Sequence, residues 1–177
     1  MKIRFKRFVK ISLFTWLSLL LTGLLVNQNL MMPVKGATNA DYNPESYWYY
    51  PWGKSVTHKG VDIFSKKNTP IYSSTKGLVL ATGKTDLGGN YVLTLGPKWR
   101  IHYYAHLNSI NCKKWDLVNH SSKIGTVGNS GNAKGKSPHL HYAIVSIIPY
   151  VWKIDHSVQG WKKMFYLNPI SYLKKSQ

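Results

Sequence analysis

The sequence predicts an all-β domain, a compact antiparallel sheet or sandwich, preceded by one apolar helix. Short runs rich in Val, Ile and aromatic residues recur between about residues 47 and 173, separated by Gly, Asn, Pro and Ser. Short strands with repeated turn signals are typical of antiparallel β folds. Helical periodicity is confined to the first 40 residues. The predicted strands are residues 60–64, 70–72, 77–82, 91–95, 100–106, 124–127 and 139–146.

Two connecting segments complete this prediction. Asp-Leu-Gly-Gly-Asn at 86–90 has the composition of a hairpin connection between two strands. The segment 147–177 is aromatic and less regular, so we expect it to pack over one end of the sheet.

The N-terminal segment is typical of an export signal. Five basic residues precede an apolar run of 16 residues, 11–26, and small residues follow at 36–40. A signal has an apolar region of about 7–15 residues and a spanning helix needs about 20, so the run lies between the two. We favour a cleaved signal, with an uncleaved membrane anchor as the alternative. In both cases the domain is exported to the periplasm, the cell envelope or the medium.

The predicted division of the chain follows from these segments. Residues 1–40 are a signal peptide or anchor with a short linker, 41–51 are linker, 52–173 are the folded domain and 174–177 are a tail. Cys112 is the single cysteine, so an internal disulfide is excluded.

The charge is strongly positive, with 24 Lys and Arg against six Asp and Glu. Eighteen of the basic residues and all six acids follow residue 40, which leaves +12 there. Such a field favours polyanionic surroundings. Nucleic acid is not expected, because no nucleic-acid motif is present. The run Gly-Asn-Ala-Lys-Gly-Lys-Ser at 131–137 has one residue too few for a phosphate-binding P-loop.

The candidate chemistry centres on the strand 139–146. Alternation places His139 and His141 on one face, with Leu140 and Tyr142 on the other. An isolated His-x-His pair usually consists of surface residues without a catalytic or binding role. The other histidines of the chain therefore decide whether this pair belongs to a functional site.

Two further motifs supply those histidines. His58-x-x-x-Asp62 precedes a β-branched run that disfavours helix, and a turn at Lys59-Gly60 could bring its two polar side chains together. Catalytic zinc typically has three protein ligands and an open position. His58, Asp62 and one histidine of the His-x-His pair would form such a set, leaving the other imidazole beside the metal.

The third motif lies in the strand 100–106. Alternation predicts His102, Tyr104 and His106 on one face. A further imidazole there could meet the one left over from the His-x-His pair. We expect His102 to be a solvated edge residue, with a partner role for the site as the alternative.

The acidic residues exclude one class of protease. Glu45 is the single glutamate, and the His-Glu-x-x-His motif of many zinc proteases is absent. In a zinc hydrolase of this sequence, histidines must therefore accept and donate the protons of the reaction. Their ordinary pKa near 6.5 suits them to this role.

Together the motifs resemble the lysostaphin-like (LytM-type) zinc peptidases. The likeness covers His58-x-x-x-Asp62, Tyr104-Ala105-His106-Leu107 and His139-Leu140-His141 in this order, with Asn168-Pro169 near the end. It spans roughly residues 52–173. The resemblance implies an antiparallel β fold with an active-site groove over one zinc ion. It implies His58, Asp62 and His141 as metal ligands and His106 and His139 as the catalytic pair.

The resemblance also implies a function. We predict a zinc endopeptidase that hydrolyses peptide bonds in bacterial peptidoglycan, acting as a monomer, with membrane association through 11–26 as a possible addition. The alternatives are a non-catalytic regulator of another wall hydrolase, a basic protein that binds anionic polymers, and a zinc carboxypeptidase.

Overall fold

The computed structural model describes residues 2–173. It contains an N-terminal helix, a β-rich domain and a short C-terminal helix. Short 3₁₀ turns connect several strands, among them Pro97–Trp99 and Gly131–Ala133. The elements are α1 (Lys2–Leu25), β1 (Val61–Phe64), β2 (Pro70–Tyr72), β3 (Gly77–Thr85), β4 (Gly89–Gly96), β5 (Arg100–Leu107), β6 (Ser109–Ile110), β7 (Leu117–Val118), β8 (Lys123–Thr126), β9 (His139–Ser146), β10 (Tyr166–Leu167) and α2 (Ile170–Leu173).

The strands form two antiparallel sheets. The larger has the order β1-β9-β5-β4-β3-β7, with β10 also paired to β9, and the smaller has the order β2-β8-β6. The strand β9 lies between β1 and β5 and therefore receives side chains from both neighbours. The predicted all-β antiparallel class is confirmed.

One face of the larger sheet carries the core. Alternation directs Val61 and Ile63 of β1 and Leu140 of β9 to this face, where they are fully buried. Ile71 of β2 and Ile124 of β8 belong to the same apolar cluster. The smaller sheet thus covers one face of the larger one, and the opposite face around β9 is left for the polar site.

The predicted strands agree closely with the structure, and 86–90 does connect β3 to β4. The two-residue strands β6, β7 and β10 were not predicted, because two residues are too few for a period-two pattern. In the aromatic segment after β9, β10 pairs with β9, with Tyr166 opposite Val145.

The segment that joins α1 to β1 packs against the domain. Leu30 and Val34 are buried in the same apolar cluster as the strands, and Val34 forms an isolated bridge with Ile71. Backbone bonds run from Met31 N to Ser74 O (2.9 Å) and from Tyr72 N to Pro33 O (2.8 Å). The division at residues 40 and 51 stays a prediction, and the tail 174–177 lies outside the described residues.

Helix α1 has the length and composition of a membrane span. The stretch Lys6–Leu25 comprises 20 residues with a mean hydropathy of 1.8, and none of it is buried in the protein. A signal sequence near an N-terminus has the same properties, so this observation alone does not choose between signal and anchor.

The packing of the joining segment predicts a stability effect at Leu30. Leu30→Ala should lower the free energy of unfolding by about 2–5 kcal/mol, because it leaves a cavity in the core. Met31→Ala is the matched control, since this neighbouring side chain is half exposed. Thermal unfolding of both variants in detergent checks this expectation, and equal midpoints would contradict it.

Candidate metal centre and active site

The pairing of β1 with β9 places two polar side chains directly opposite each other. The register aligns Asp62 with His141 and Phe64 with His139. Directly opposite side chains on one sheet face are close enough to interact. The Asp62 Oδ1 atom lies 2.8 Å from His141 Nδ1. Strand pairing therefore joins two of the sequence motifs.

His58 joins this pair from the loop before β1. Its side chain is almost completely buried, and its ring stacks on Trp52 with centroids 4.2 Å apart. Its Nδ1 lies 2.9 Å from the Ser46 carbonyl oxygen. A carbonyl only accepts, so Nδ1 carries the proton and a neutral ring leaves Nε2 with a free lone pair.

Three potential ligand atoms then meet at one point. His58 Nε2 lies 3.1 Å from Asp62 Oδ1 and 3.1 Å from His141 Nδ1. Bond lengths near 2.0–2.1 Å place the ligand atoms of a tetrahedral zinc site about 3.3 Å apart. The lone pair of His58 Nε2 also faces a carboxylate oxygen, an arrangement that a cation between them would stabilise. The His₂Asp donor set therefore fits zinc.

The carboxylate of Asp62 is held in its ionised form. Burial opposes ionisation, but the contacts with His141 and His58 outweigh it and keep the pKa of Asp62 well below its usual range. An ionised carboxylate is the form that binds a metal.

His139 stands beside this cluster on the same face of β9. Its Nδ1 donates to the Ser137 carbonyl at 2.8 Å, which leaves Nε2 as an acceptor. That Nε2 lies 3.9 Å from Asp62 Oδ2. The ring is therefore oriented by its own backbone and presents a free nitrogen next to the cluster.

His106 lies next to the same cluster because the pairing of β5 with β4 is irregular at this residue. Tyr91 of β4 is opposed by both Ala105 and His106, because the paired residues on either side are Val92 with Tyr104 and Asn90 with Leu107. This is a β-bulge, and His106 has the left-handed φ of 64°. The predicted shared face of His102, Tyr104 and His106 is therefore wrong, since the extra residue turns His106 to the opposite face.

On that face the two remaining imidazoles meet. The rings of His106 and His139 have centroids 5.0 Å apart in an edge-on arrangement. His106 Nδ1 donates to the Ser130 carbonyl at 2.9 Å, so its Nε2 is also a free acceptor. Burial, and then the charges of His141 and His139, lower the pKa of His106 to about 4.

His102 lies on the core side and is fully buried, so its predicted edge position is wrong. Its Nδ1 lies 2.7 Å from the Tyr142 hydroxyl, and its Nε2 lies 3.0 Å from the Gln28 amide nitrogen. Burial, and then the charge of Arg100, lower the pKa of His102 to about 3. Tyr104 is on the same side and bonds Ser74, not His106.

Two clefts extend from the cluster. One of about 360 Å³ is lined by Asp62, His106 and His139, and one of about 610 Å³ lies beside it. Trp52 and Tyr103 line both clefts. Sequence reasoning missed these two residues, although alternation from Ala105, which pairs with His141, places Tyr103 on the site face.

A family comparison decides the identity of this arrangement. Residues 56–151 match the model of "Peptidase family M23", a range that contains all five predicted site residues. The chain belongs to peptidase family M23. This family is zinc-dependent, and the LytM-type resemblance is confirmed.

Curated relatives of this M23 chain include cell-wall endopeptidases. Peptidoglycan DD-endopeptidase ShyA of Vibrio cholerae is 33% identical over 114 residues, which cover 64% of this chain and 26% of ShyA. Glycyl-glycine endopeptidase ALE-1 of Staphylococcus capitis is 33% identical over 99 residues, covering 54% and 27%. The chain thus spans about a quarter of the length of these relatives.

Solved structures agree with this family assignment. The catalytic domain of lysostaphin from Staphylococcus simulans has a TM-score of 0.57 and 26% identity, with 73% of this chain and 89% of that chain covered. A zinc-containing peptidase from Vibrio cholerae has a TM-score of 0.55 and 30% identity, with 67% and 36% covered.

The geometry predicts a specific sensitivity at Gly60. A Cβ there would lie 2.5 Å from the Tyr142 carbonyl oxygen and 2.9 Å from His141 Cε1. Gly60→Ala should displace His141 and weaken zinc binding about 10–100-fold, the range found for residues that orient metal ligands. Competition with a chromophoric chelator measures this affinity.

Gly83→Ala in β3 is the matched control. Its added Cβ would meet the Tyr91 side chain at 3.2 Å and nothing nearer. Unchanged zinc affinity in Gly60→Ala, with both variants folded, would show that the position of His141 does not depend on this glycine.

Proposed function

We propose that this M23 chain is a zinc-dependent endopeptidase that hydrolyses peptide bonds in the stem peptides or cross-links of bacterial peptidoglycan. The observation that carries the proposal is the convergence of three ligand atoms, on His58, Asp62 and His141, with two further imidazoles that present free Nε2 atoms. A site used only for binding would not need that second pair.

The proposed metal ligands are His58, Asp62 and His141. Bound there, zinc supplies Lewis-acid chemistry that polarises a peptide carbonyl. Asp62 contributes the negative charge of the set, and Trp52 and the Ser46 carbonyl hold the His58 ring in place. Asp62 and His141 also line the smaller cleft, so the cluster is open to a substrate.

The proposed catalytic pair is His106 and His139. Hydrolysis of an amide needs one group to accept a proton from water and one to protonate the leaving nitrogen. Both rings have Nδ1 committed to a backbone carbonyl, so each can exchange a proton only through Nε2. The two rings lie edge-on next to each other, which suits a division of these roles between them.

The substrate class follows from the groove and from the relatives. The two clefts of this groove share Trp52 and Tyr103 in their linings, and Lys54, Lys59 and Lys162 line the larger cleft. Such a groove suits an extended peptide that carries carboxylates. ShyA is a peptidoglycan DD-endopeptidase and ALE-1 a glycyl-glycine endopeptidase, and the N-terminal apolar helix is consistent with export to the cell envelope.

Digestion of purified peptidoglycan tests the activity. The full chain in detergent, loaded with zinc, should produce new peptide termini in mass spectra, and a chelator should remove them. Restoring zinc should restore the products. If the folded, zinc-loaded protein leaves peptidoglycan unchanged, the regulator alternative replaces the enzyme.

Histidine variants separate the proposed roles. His141→Ala should lose zinc and activity together. His139→Ala and His106→Ala should keep zinc but lose about 10²–10⁴-fold in rate, the usual contribution of a general acid or base. Zinc content by atomic emission and product release are measured on the same samples.

His156→Ala is the control for these substitutions, because it removes an exposed imidazole outside the site. Equal loss of zinc in His139→Ala and His141→Ala would show that the assignment of ligand and catalytic residue is wrong.

A further inference from the structure

We propose that helix α1 is retained as a membrane anchor, and that the face of the domain beside its C-terminal end rests on an anionic lipid bilayer. The proposal goes beyond the peptidase function and does not depend on catalysis. Three observations carry it: the length of the helix, the role of the segment that follows it, and the side chains around its end.

The helix is long enough to span a bilayer. The stretch Lys6–Leu25 rises about 30 Å at 1.5 Å per residue, which matches the hydrocarbon thickness of a bilayer. Its side chains are not buried in the domain, so the protein itself provides no cover for this apolar surface.

The segment after the helix belongs to the folded domain. Leu30 and Val34 are 6% and 1% exposed, and Lys35 N bonds Pro70 O at 3.0 Å next to the Val34–Ile71 bridge. Cleavage at the small residues 36–40 would remove this whole segment from the domain. The edge of β2 and part of the core would then be open to water.

A buried polar contact adds to the same argument. The Gln28 side chain accepts from Arg100 Nη1 and lies 3.0 Å from His102 Nε2. Arg100 is 7% exposed and His102 is fully buried. Loss of Gln28 would leave these buried groups without this partner, which is costly. The fold therefore requires residues that a cleaved signal would take away.

The end of the helix adjoins a tryptophan of the domain. Trp99 Nε1 donates to the Leu20 carbonyl at 2.9 Å, and its indole occupies the space that a Cβ at Gly23 would fill. Leu20 lies five residues before the end of α1, about 7.5 Å along its axis. The indole of Trp99 therefore lies near the end of the span that adjoins the domain, and tryptophan is enriched near membrane–water interfaces.

The surface around the end of α1 combines exposed apolar side chains with lysines. A cleft of about 610 Å³ between the helix end and the sheet is lined by Lys76, Lys98 and Leu117, and the Leu117 side chain is 83% exposed. Two residues earlier, Trp115 is 63% exposed, with the Lys114 ammonium 4.7 Å from its ring. Exposed apolar and aromatic side chains next to lysines favour the interface of an anionic bilayer.

The connection leaves the domain little freedom to move away. Five peptide steps separate Leu25, at the end of the helix, from the buried Leu30, and they span at most about 18 Å. We therefore expect the domain to stay at the membrane surface.

Processing of the full chain tests the retained anchor. A C-terminally tagged chain is produced in an exporting bacterium, and its membranes are washed with alkaline carbonate. We expect the tagged protein in the membrane pellet, with an intact mass that includes α1. A product that lacks the helix, in either fraction, would overturn the proposal.

Hydrogen exchange tests the contact with lipid. The full chain is placed in nanodiscs of neutral phosphatidylcholine or of phosphatidylcholine with anionic phosphatidylglycerol. Peptides that cover 97–99 and 113–117 should exchange more slowly in the anionic discs. The triple variant Lys76→Glu, Lys98→Glu, Lys114→Glu should lose this protection.

The matched control carries Lys66→Glu, Lys67→Glu and Lys153→Glu, an equal change of charge at exposed lysines elsewhere. It should keep the protection. Equal exchange in both lipids, or equal loss in both triple variants, would overturn the lipid contact. If a soluble polyanion protects these peptides equally well in neutral discs, the lysines bind an anionic wall polymer and not the bilayer, and the lipid contact is overturned. Both readouts are independent of peptidase activity.

Discussion

The site depends on the register between β1 and β9. Asp62 faces His141 only because these strands pair antiparallel with this alignment, and a slip of one residue would direct one of the two side chains into the core. The buried Val61, Ile63 and Leu140 set that register, since they must face the apolar cluster. The burial of the apolar side chains and the alignment of Asp62 with His141 therefore both follow from the alternation of side chains along these two strands.

The two faces of β9 have different polar functions. The front face carries His139 and His141, whereas Tyr142 on the back bonds Ser74 and His102. This buried chain continues from His102 through Gln28 to Arg100. Buried polar groups that hydrogen-bond one another help to specify a unique arrangement. The segment after α1 is thus connected to the strand that carries the site, although it contributes no side chain to the site.

Much of this arrangement could be predicted from the sequence, because it follows from period-two alternation and motif order. The strands and the hairpin are of this kind, whereas the choice of His141 as the partner of His58 and Asp62 came from the family resemblance. The face of β5 on which His106 lies could not be predicted from alternation, since a bulge adds one residue and reverses the pattern. The burial of His102 was missed because its partners, Tyr142 and Gln28, come from distant parts of the chain.

The N-terminal segment shows the same limit of sequence reasoning. Small residues at 36–40 favoured a cleavage site, but local composition contains no information about Leu30 and Val34 packing under β2. That packing makes Leu30 and Val34 part of the folded domain, which begins only a few residues after the end of α1. A cleaved chain would lose core residues, so the contacts that stabilise the domain are the same contacts that favour keeping it at the membrane. If α1 is retained as proposed, the short connection to Leu30 keeps the domain next to the bilayer, and the same segment that packs into the core then links the groove to the membrane.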